Sequence, residues 1–331
     1  MNDIIMNDNM ALSPRRLLIP TSFALLLAAL WMELQAMPLA HELPGPLAPA
    51  FAGFALLLAP LWFFGFGAAE RLRALLQSEW LRVAAPVVLV VPYLLYALPM
   101  REFQWRFAVA LSVGPVVLGG VLEAAPRVQR LLWQDVVVLM ALALTLELRL
   151  LSGAWPHAGL GSLPKLYLCD VALYLFLVVR GIEGTGYSLM PSASAFATGA
   201  REWLYFIPFG LGLGFALHFI GFHPRPHSAT QIASGVLATF LLIAIPEELF
   251  FRGLLQNLLE PHLGRLRALG VASALFGLSH FHKGAVFNWR YVLLAAIAGV
   301  FYGRAWRARR QLLASSITHT MVDVVWSLWF R

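Results

Sequence analysis

The sequence predicts an all-α fold, a polytopic transmembrane helical bundle. Two observations carry that reading. Apolar residues make up 60% of the 331-residue chain and charged residues only 12%, against about 45–50% and 25% in soluble domains. Apolar runs of roughly 18 or more residues, long enough for a helix to cross a bilayer, recur along the whole length. A β-barrel would show short alternating segments instead.

About eleven hydrophobic segments are expected, with boundaries good to several residues. The first, near 17–37, follows a polar stretch ending in Arg15-Arg16, and it is long enough to span rather than to act as a cleavable signal peptide. The next five lie near 48–68, 83–100, 107–125, 131–150 and 166–180, and the polar stretch Gly153 to Pro164 separates the last two. The remaining five lie near 203–222, 231–250, 266–280, 287–303 and 311–330, with the loop His223-Pro224-Arg225-Pro226-His227 after the first of them. No fixed-period repeat is visible. The character of the chain changes near residue 185. This divides it into N-terminal helices of unknown role, 1–185, and a more polar part, 186–331, whose motif core is 231–330.

The net charge of +7 comes almost wholly from arginine, since lysine occurs only at Lys165 and Lys283. The arginines are scattered over short loops, which fits anchoring at the inner membrane face and argues against nucleic-acid binding. Arg15 and Arg16 precede the first segment, and Arg71, Arg73, Arg82, Arg127, Arg130 and the cluster Arg304 to Arg310 follow even numbers of segments. The N-terminus is therefore expected in the cytoplasm and Phe330-Arg331 outside. The preference for arginine over lysine points to a GC-rich bacterial genome, hence to a multi-pass protein of the bacterial inner membrane. A single cysteine, Cys169, excludes a disulfide framework and a cysteine-cluster metal site. The isolated acids Glu33, Glu70, Glu123, Asp135, Glu147 and Asp170 are expected at interfaces or paired inside the bundle. Glu33 lies deeper, with no obvious local partner.

One segment is out of keeping with its surroundings: Pro246-Glu247-Glu248-Leu249-Phe250-Phe251-Arg252. Each such charge at a helix centre costs roughly 2.5–3.5 kcal/mol on insertion scales, so retained charges there mark function. Pro246 suggests a helix break or kink, with a helix running from 246 to about 259. On that helix Glu248 and Arg252 stand at i,i+4 and pair. Glu247 is rotated about 100° away and faces elsewhere, free for general-base work on water. Downstream, His280 closes an apolar segment four residues after Phe276. His319 and Asp323 share a helix face at i,i+4, where the acid can orient the imidazole. Three helices of a bundle can aim Glu247, His280 and His319 at one cavity. The chain has no HExxH, GxSxG or Walker A motif.

Pro246-Glu247-Glu248-Leu249-Phe250-Phe251-Arg252, Phe276-Gly277-Leu278-Ser279-His280 and His319-Thr320-Met321-Val322-Asp323, in that order, resemble the EExxxR, FxxxH and HxxxN/D motifs of the CAAX protease and bacteriocin-processing family of intramembrane proteases. Gly299 to Arg304 resembles the small-residue segment before the family's last motif helix. The likeness covers roughly 231–330. It implies an intramembrane endopeptidase acting on a membrane-anchored protein or peptide. Glu247, assisted by His280, would activate water, and His319 with its neighbour would hold the oxyanion. Many members carry asparagine where this chain has Asp323. A carboxylate cannot donate to an oxyanion, so Asp323 is expected to orient His319. Glu248, Arg252 and Phe276 are expected to support. No cofactor is required on this reading, although Glu247, His280 and His319 form a zinc-competent trio and the metal question stays open. Two other readings stand beside it. A non-enzymatic immunity or scaffold protein of the same fold would tolerate loss of Glu247. A proton-coupled transporter would show an internal repeat of broken helices, and no matching half is visible.

Overall fold

The computed structural model describes residues 14–37, 39–282 and 287–330. The expectations for residues 1–13, Lys283 and Arg331 lie outside the described residues. Those that are described form helices and no strand, with an isolated bridge joining Phe222 and Phe330.

The first part contains α1 (Pro14–Ala36), α2 (Leu47–Phe64), α3 (Ala68–Leu75), α4 (Glu79–Ala97), α5 (Trp105–Glu123), α6 (Trp133–Glu147) and α7 (Leu163–Leu173, continued by a π-helical stretch Tyr174–Val179). In α4 the middle residues Ala85–Val90 tighten into 3-10 turns around Pro86, which has no backbone N–H to give to the ladder. The second part contains α8 (Ala193–Ala216), α9 (Ala229–Leu263), α10 (Arg265–Leu278), α11 (Trp289–Arg309) and α12 (Leu312–Trp329).

Five of these helices, α1, α2, α4, α5 and α9, are long and apolar enough to cross a membrane. With the apolar side chains that face outward along them and their neighbours, such as Leu25, Val113, Met140 and Phe209, they make this a multi-pass membrane protein. The other expected segments are helical but differ in length or polarity. Helix α6 has 15 residues and α10 has 14, short of the roughly 20 that a span needs. Helices α8, α11 and α12 are long but carry charges: Arg201 and Glu202, four arginines, and His319 with Asp323, respectively.

Packing runs through the whole chain. Helix α7 is the buried pillar of the first part and touches α2, α3, α5 and α6. Its residues from Leu166 to Val179 are almost entirely enclosed. In the second part α8, α11 and α12 pack mutually, α10 lies on α11, and α9 runs between α12 and α7. One apolar cluster joins Leu61, Leu111 and Leu175 to Leu249, Leu254 and Leu312. Small residues permit the closest approaches. A methyl group on Gly277 of α10 would lie 2.5 Å from the Val292 carbonyl of α11, and one on Gly199 of α8 would lie 2.7 Å from the Ala314 carbonyl of α12.

Two of the isolated acids pair with arginines. Glu123 meets Arg82 at 2.8 Å and Arg127 at 2.5 Å. Asp135 meets Arg180 at 3.0 Å with both side chains wholly buried. Asp170 is a different case from either of them. It is fully buried, and neither carboxyl oxygen has a hydrogen-bond partner among the described residues.

Helix α9 corrects one expectation. The chain does not break at Pro246 but runs as one helix from Ala229 to Leu263. Its turns widen on both sides of the proline, in π-helical stretches Phe240–Ala244 and Leu249–Gln256. The wider turn is one way to carry a residue that lacks an N–H without ending the helix.

Candidate active site

The three motif helices and α11 converge. Glu247 and Glu248 leave α9 in different directions. Glu248 is completely buried and its two oxygens are fully engaged. Oε1 accepts from Nδ1 of His319 at 2.8 Å, and Oε2 accepts from the Ser315 hydroxyl at 2.8 Å and faces Nε of Arg252 at 3.2 Å. The i,i+4 pairing expected for Glu248 and Arg252 is present, and both members are wholly shielded. Arg252 also donates to the Gly299 carbonyl of α11 at 2.8 Å. Its guanidinium lies over the rings of Phe276 (4.7 Å) and Tyr302 (5.4 Å), a desolvated cation on aromatic faces.

Glu247 points the other way. Its Oε1 is 2.6 Å from Nζ of Lys165, at the start of α7, and its Oε2 is 3.8 Å from Nε2 of His319. The carboxylate is therefore spanned between an ammonium from the first part of the chain and an imidazole from the last helix.

His319 is held on every side. Tyr302 stacks on it with centroids 4.5 Å apart and planes 14° apart, and Phe276 meets it edge-on at 5.6 Å. A carboxylate oxygen only accepts, so the 2.8 Å contact with Glu248 makes Nδ1 a donor and turns Nε2 toward Glu247 and Asp323. Asp323 Oδ2 stands 3.5 Å from Nε2. From the i,i+4 spacing, Asp323 was expected to orient His319. The structure divides that work, with Glu248 fixing Nδ1 from another helix and Asp323 standing near the opposite nitrogen. The reason is depth, since Glu248 is fully enclosed and the Asp323 side chain is 30% exposed.

His280 lies in the turn just after α10, with Nδ1 on the Phe276 carbonyl at 2.8 Å. A carbonyl also only accepts, so Nδ1 is the protonated nitrogen in this contact. Phe276 is the hub of the site: its ring lies 4.8 Å from that of His280, 5.6 Å from His319 and beneath Arg252.

Two apolar cavities meet at these groups. One, of about 360 Å³, is lined by His280, His319, Asp323, Tyr302 and Trp326 among others. The other, of about 570 Å³, is lined by Lys165, Glu247, His280, Leu275 and Phe250 among others. His280 belongs to both walls. Cavities of this size, mostly apolar with a few convergent polar groups, are what ligand sites look like.

No cluster of three or more His, Cys, Asp or Glu among the described residues is placed to hold a metal ion.

Sequence reasoning placed Glu247, Glu248, Arg252, Phe276, His280, His319 and Asp323 near one another, and they do converge. It missed Lys165, Ser315 and Tyr302. Ser315 lies one turn before His319 and could have been read from that spacing. Lys165 is conspicuous only as a rare lysine in an arginine-rich chain.

Comparison with curated proteins and with solved structures gives no significant match. Comparison with family models gives one over residues 229–325, the type II CAAX prenyl endopeptidase, Rce1-like family. That stretch holds α9 to α11, α12 as far as Val325, and every motif residue named above. Over residues 229–325 the chain is thus similar to the CAAX proteases, a family of membrane-embedded proteases.

Proposed function

We propose that the chain is an intramembrane endopeptidase that hydrolyses a peptide bond of a membrane-associated protein or peptide with a glutamate-activated water. The observation that carries this reading is the facing of Glu247 Oε2 and His319 Nε2 at 3.8 Å, where two apolar cavities meet. A general base and an electrophilic donor then flank the place where a carbonyl and a water would sit.

The reaction runs as follows. A water between Glu247 and His280 gives a proton to Glu247 Oε2, and its oxygen attacks the carbonyl carbon. The tetrahedral oxyanion receives a hydrogen bond from Nε2–H of His319. This role needs the doubly protonated ring, and Lys165, Arg252 and that ring then balance Glu247, Glu248 and Asp323 three against three. The intermediate collapses as the C–N bond breaks, and Glu247 passes its proton to the leaving amine. Glu248, Ser315, Tyr302 and Phe276 keep His319 in place. Asp323 stands beside Nε2 and stabilises the ring's charge without donating to the oxyanion.

The catalytic groups belong to the C-terminal part, with the N-terminal helices packed beside it. A bacterial inner membrane is the proposed location, with the N-terminus in the cytoplasm. A membrane-anchored precursor or regulatory peptide is the proposed substrate. The test is a cleavage assay in proteoliposomes on a pool of small membrane-anchored proteins, read by mass spectrometry. Wild type gives new termini, and Glu247→Gln, His280→Ala and His319→Ala, each verified as folded, do not. Parallel samples with chelator read metal dependence. An identical peptide pattern from all four proteins overturns catalysis and favours an immunity or scaffold protein.

A further inference from the structure

We propose that Lys165 is a positioning residue for Glu247, so that the part of the chain outside the family match completes the active site. The proposal rests on the proteolytic reading above.

Four observations lead to it. First, the contact is short and selective. Nζ lies 2.6 Å from Oε1, and the side chains are 23% and 13% exposed. Anchoring one oxygen of a planar carboxylate fixes its plane and leaves the second oxygen aimed at His319. Second, the other cation of the site is already committed, because Arg252 is taken by Glu248 and the Gly299 carbonyl. Third, Lys165 stands against local preference. It is the third residue of α7, after Leu163 and Pro164. There the helix dipole disfavours a cation and a carboxylate would be preferred. It also places an ammonium on a mostly apolar cavity wall beside Leu168, Leu275 and Phe250, where a charge is retained only with a good partner. A local choice that conflicts with its surroundings marks a functional demand. Fourth, its platform is firm. Helix α7 packs on α9. The loops flanking α6 and α7 are tied to the end of α9 by Leu131 N–H donating to the Leu258 carbonyl at 3.0 Å and by the Asn257 amide donating to the Glu183 carbonyl at 2.8 Å.

The chemistry follows from the geometry. A general base is effective only when the oxygen that takes the proton is aligned with the water, and a misplacement of about 1 Å can cost on the order of 100-fold in rate. Without Lys165 the Glu247 carboxylate loses the contact that holds Oε1. Lys165 is one of many residues on a mostly apolar cavity wall, so substrate binding changes little. The loss therefore falls on kcat and leaves KM in place.

The experiment uses the full chain in proteoliposomes and chemical rescue at this position. Lys165→Cys is assayed before and after alkylation with 2-bromoethylamine, which rebuilds an ammonium at nearly the length of lysine. Iodoacetamide serves as the neutral control, and wild type is treated in parallel because buried Cys169 is the chain's own cysteine. The expected result is a fall in kcat of about 10- to 100-fold, KM within about threefold, recovery of most of kcat by aminoethylation and none by the neutral reagent. Lys165→Arg is expected to retain more activity than Lys165→Met. Rescue within one folded sample separates positioning from a failure to fold. Unchanged kcat in Lys165→Cys, or equal rescue by both reagents, overturns the proposal while the protease reading stands. Absence of cleavage by wild type removes both.

Discussion

Replacing Arg252 with methionine leaves Glu248 buried at the centre of the bundle without its cation. The pair is 3.2 Å apart with neither side chain exposed, and Arg252 also closes the Gly299 carbonyl at 2.8 Å. Breaking a fully buried pair by removing one partner destabilises by about 3–5 kcal/mol, because the remaining charge has no water to turn to. The double variant Glu248→Gln, Arg252→Met removes both charges. Its amide oxygen can still accept from His319 Nδ1, and its NH2 can donate to the Ser315 hydroxyl as that hydroxyl turns to the Leu312 carbonyl, so it is expected to be more stable than Arg252→Met alone by about 1–3 kcal/mol. The assay is reversible unfolding in mixed micelles titrated with sodium dodecyl sulfate, followed by tryptophan fluorescence. A loss below about 1 kcal/mol for Arg252→Met, in the range of an exposed pair, with no recovery in the double variant, would refute the claim that Glu248 and Arg252 are a structural pair that fixes His319.

Other expectations can be checked with the same tools. Ser315→Ala removes one donor to Glu248 at 2.8 Å and should cost about 1 kcal/mol in the same titration, with a modest fall in kcat. Gly303→Ala would set a methyl group 2.3 Å from Leu269 Cδ1 and 2.6 Å from Gln256 Oε1. It should destabilise by about 1–3 kcal/mol, whereas the looser site at Gly212 should accept alanine with little change. Asp135→Asn strips the buried Arg180 of its counter-ion and should cost about 3–5 kcal/mol, leaving the kcat of the folded fraction unchanged.

What the sequence made legible was what lies close along the chain. Glu248 with Arg252 and His319 with Asp323 are one helical turn apart, so ordinary helix spacing brought each pair together before any fold was known. The order of the three motifs then indicated that α9, α10 and α12 share a site. What was hidden depends on packing between distant segments. Lys165 is 82 positions from Glu247, and no periodicity connects them. The contact between Glu248 and His319 crosses two helices, which is why the orienting carboxylate was sought at Asp323. The unbroken path of α9 through Pro246 was hidden for a different reason. Proline signals a break through its missing donor, whereas the wider turns around it depend on the enclosing bundle. Of the apolar runs, five form helices long and apolar enough to cross a membrane, whereas those of α6 and α10 form helices of 15 and 14 residues.

The central claim is that Glu247 activates the water that cuts the peptide bond. It is tested most directly by comparing wild type with Glu247→Gln in proteoliposomes made in ¹⁸O-labelled water, both shown to unfold at the same detergent midpoint. The account predicts that wild type releases products whose new carboxyl terminus carries solvent ¹⁸O, and that Glu247→Gln releases them at least about 100-fold more slowly. Labelled products from Glu247→Gln at the wild-type rate would contradict it.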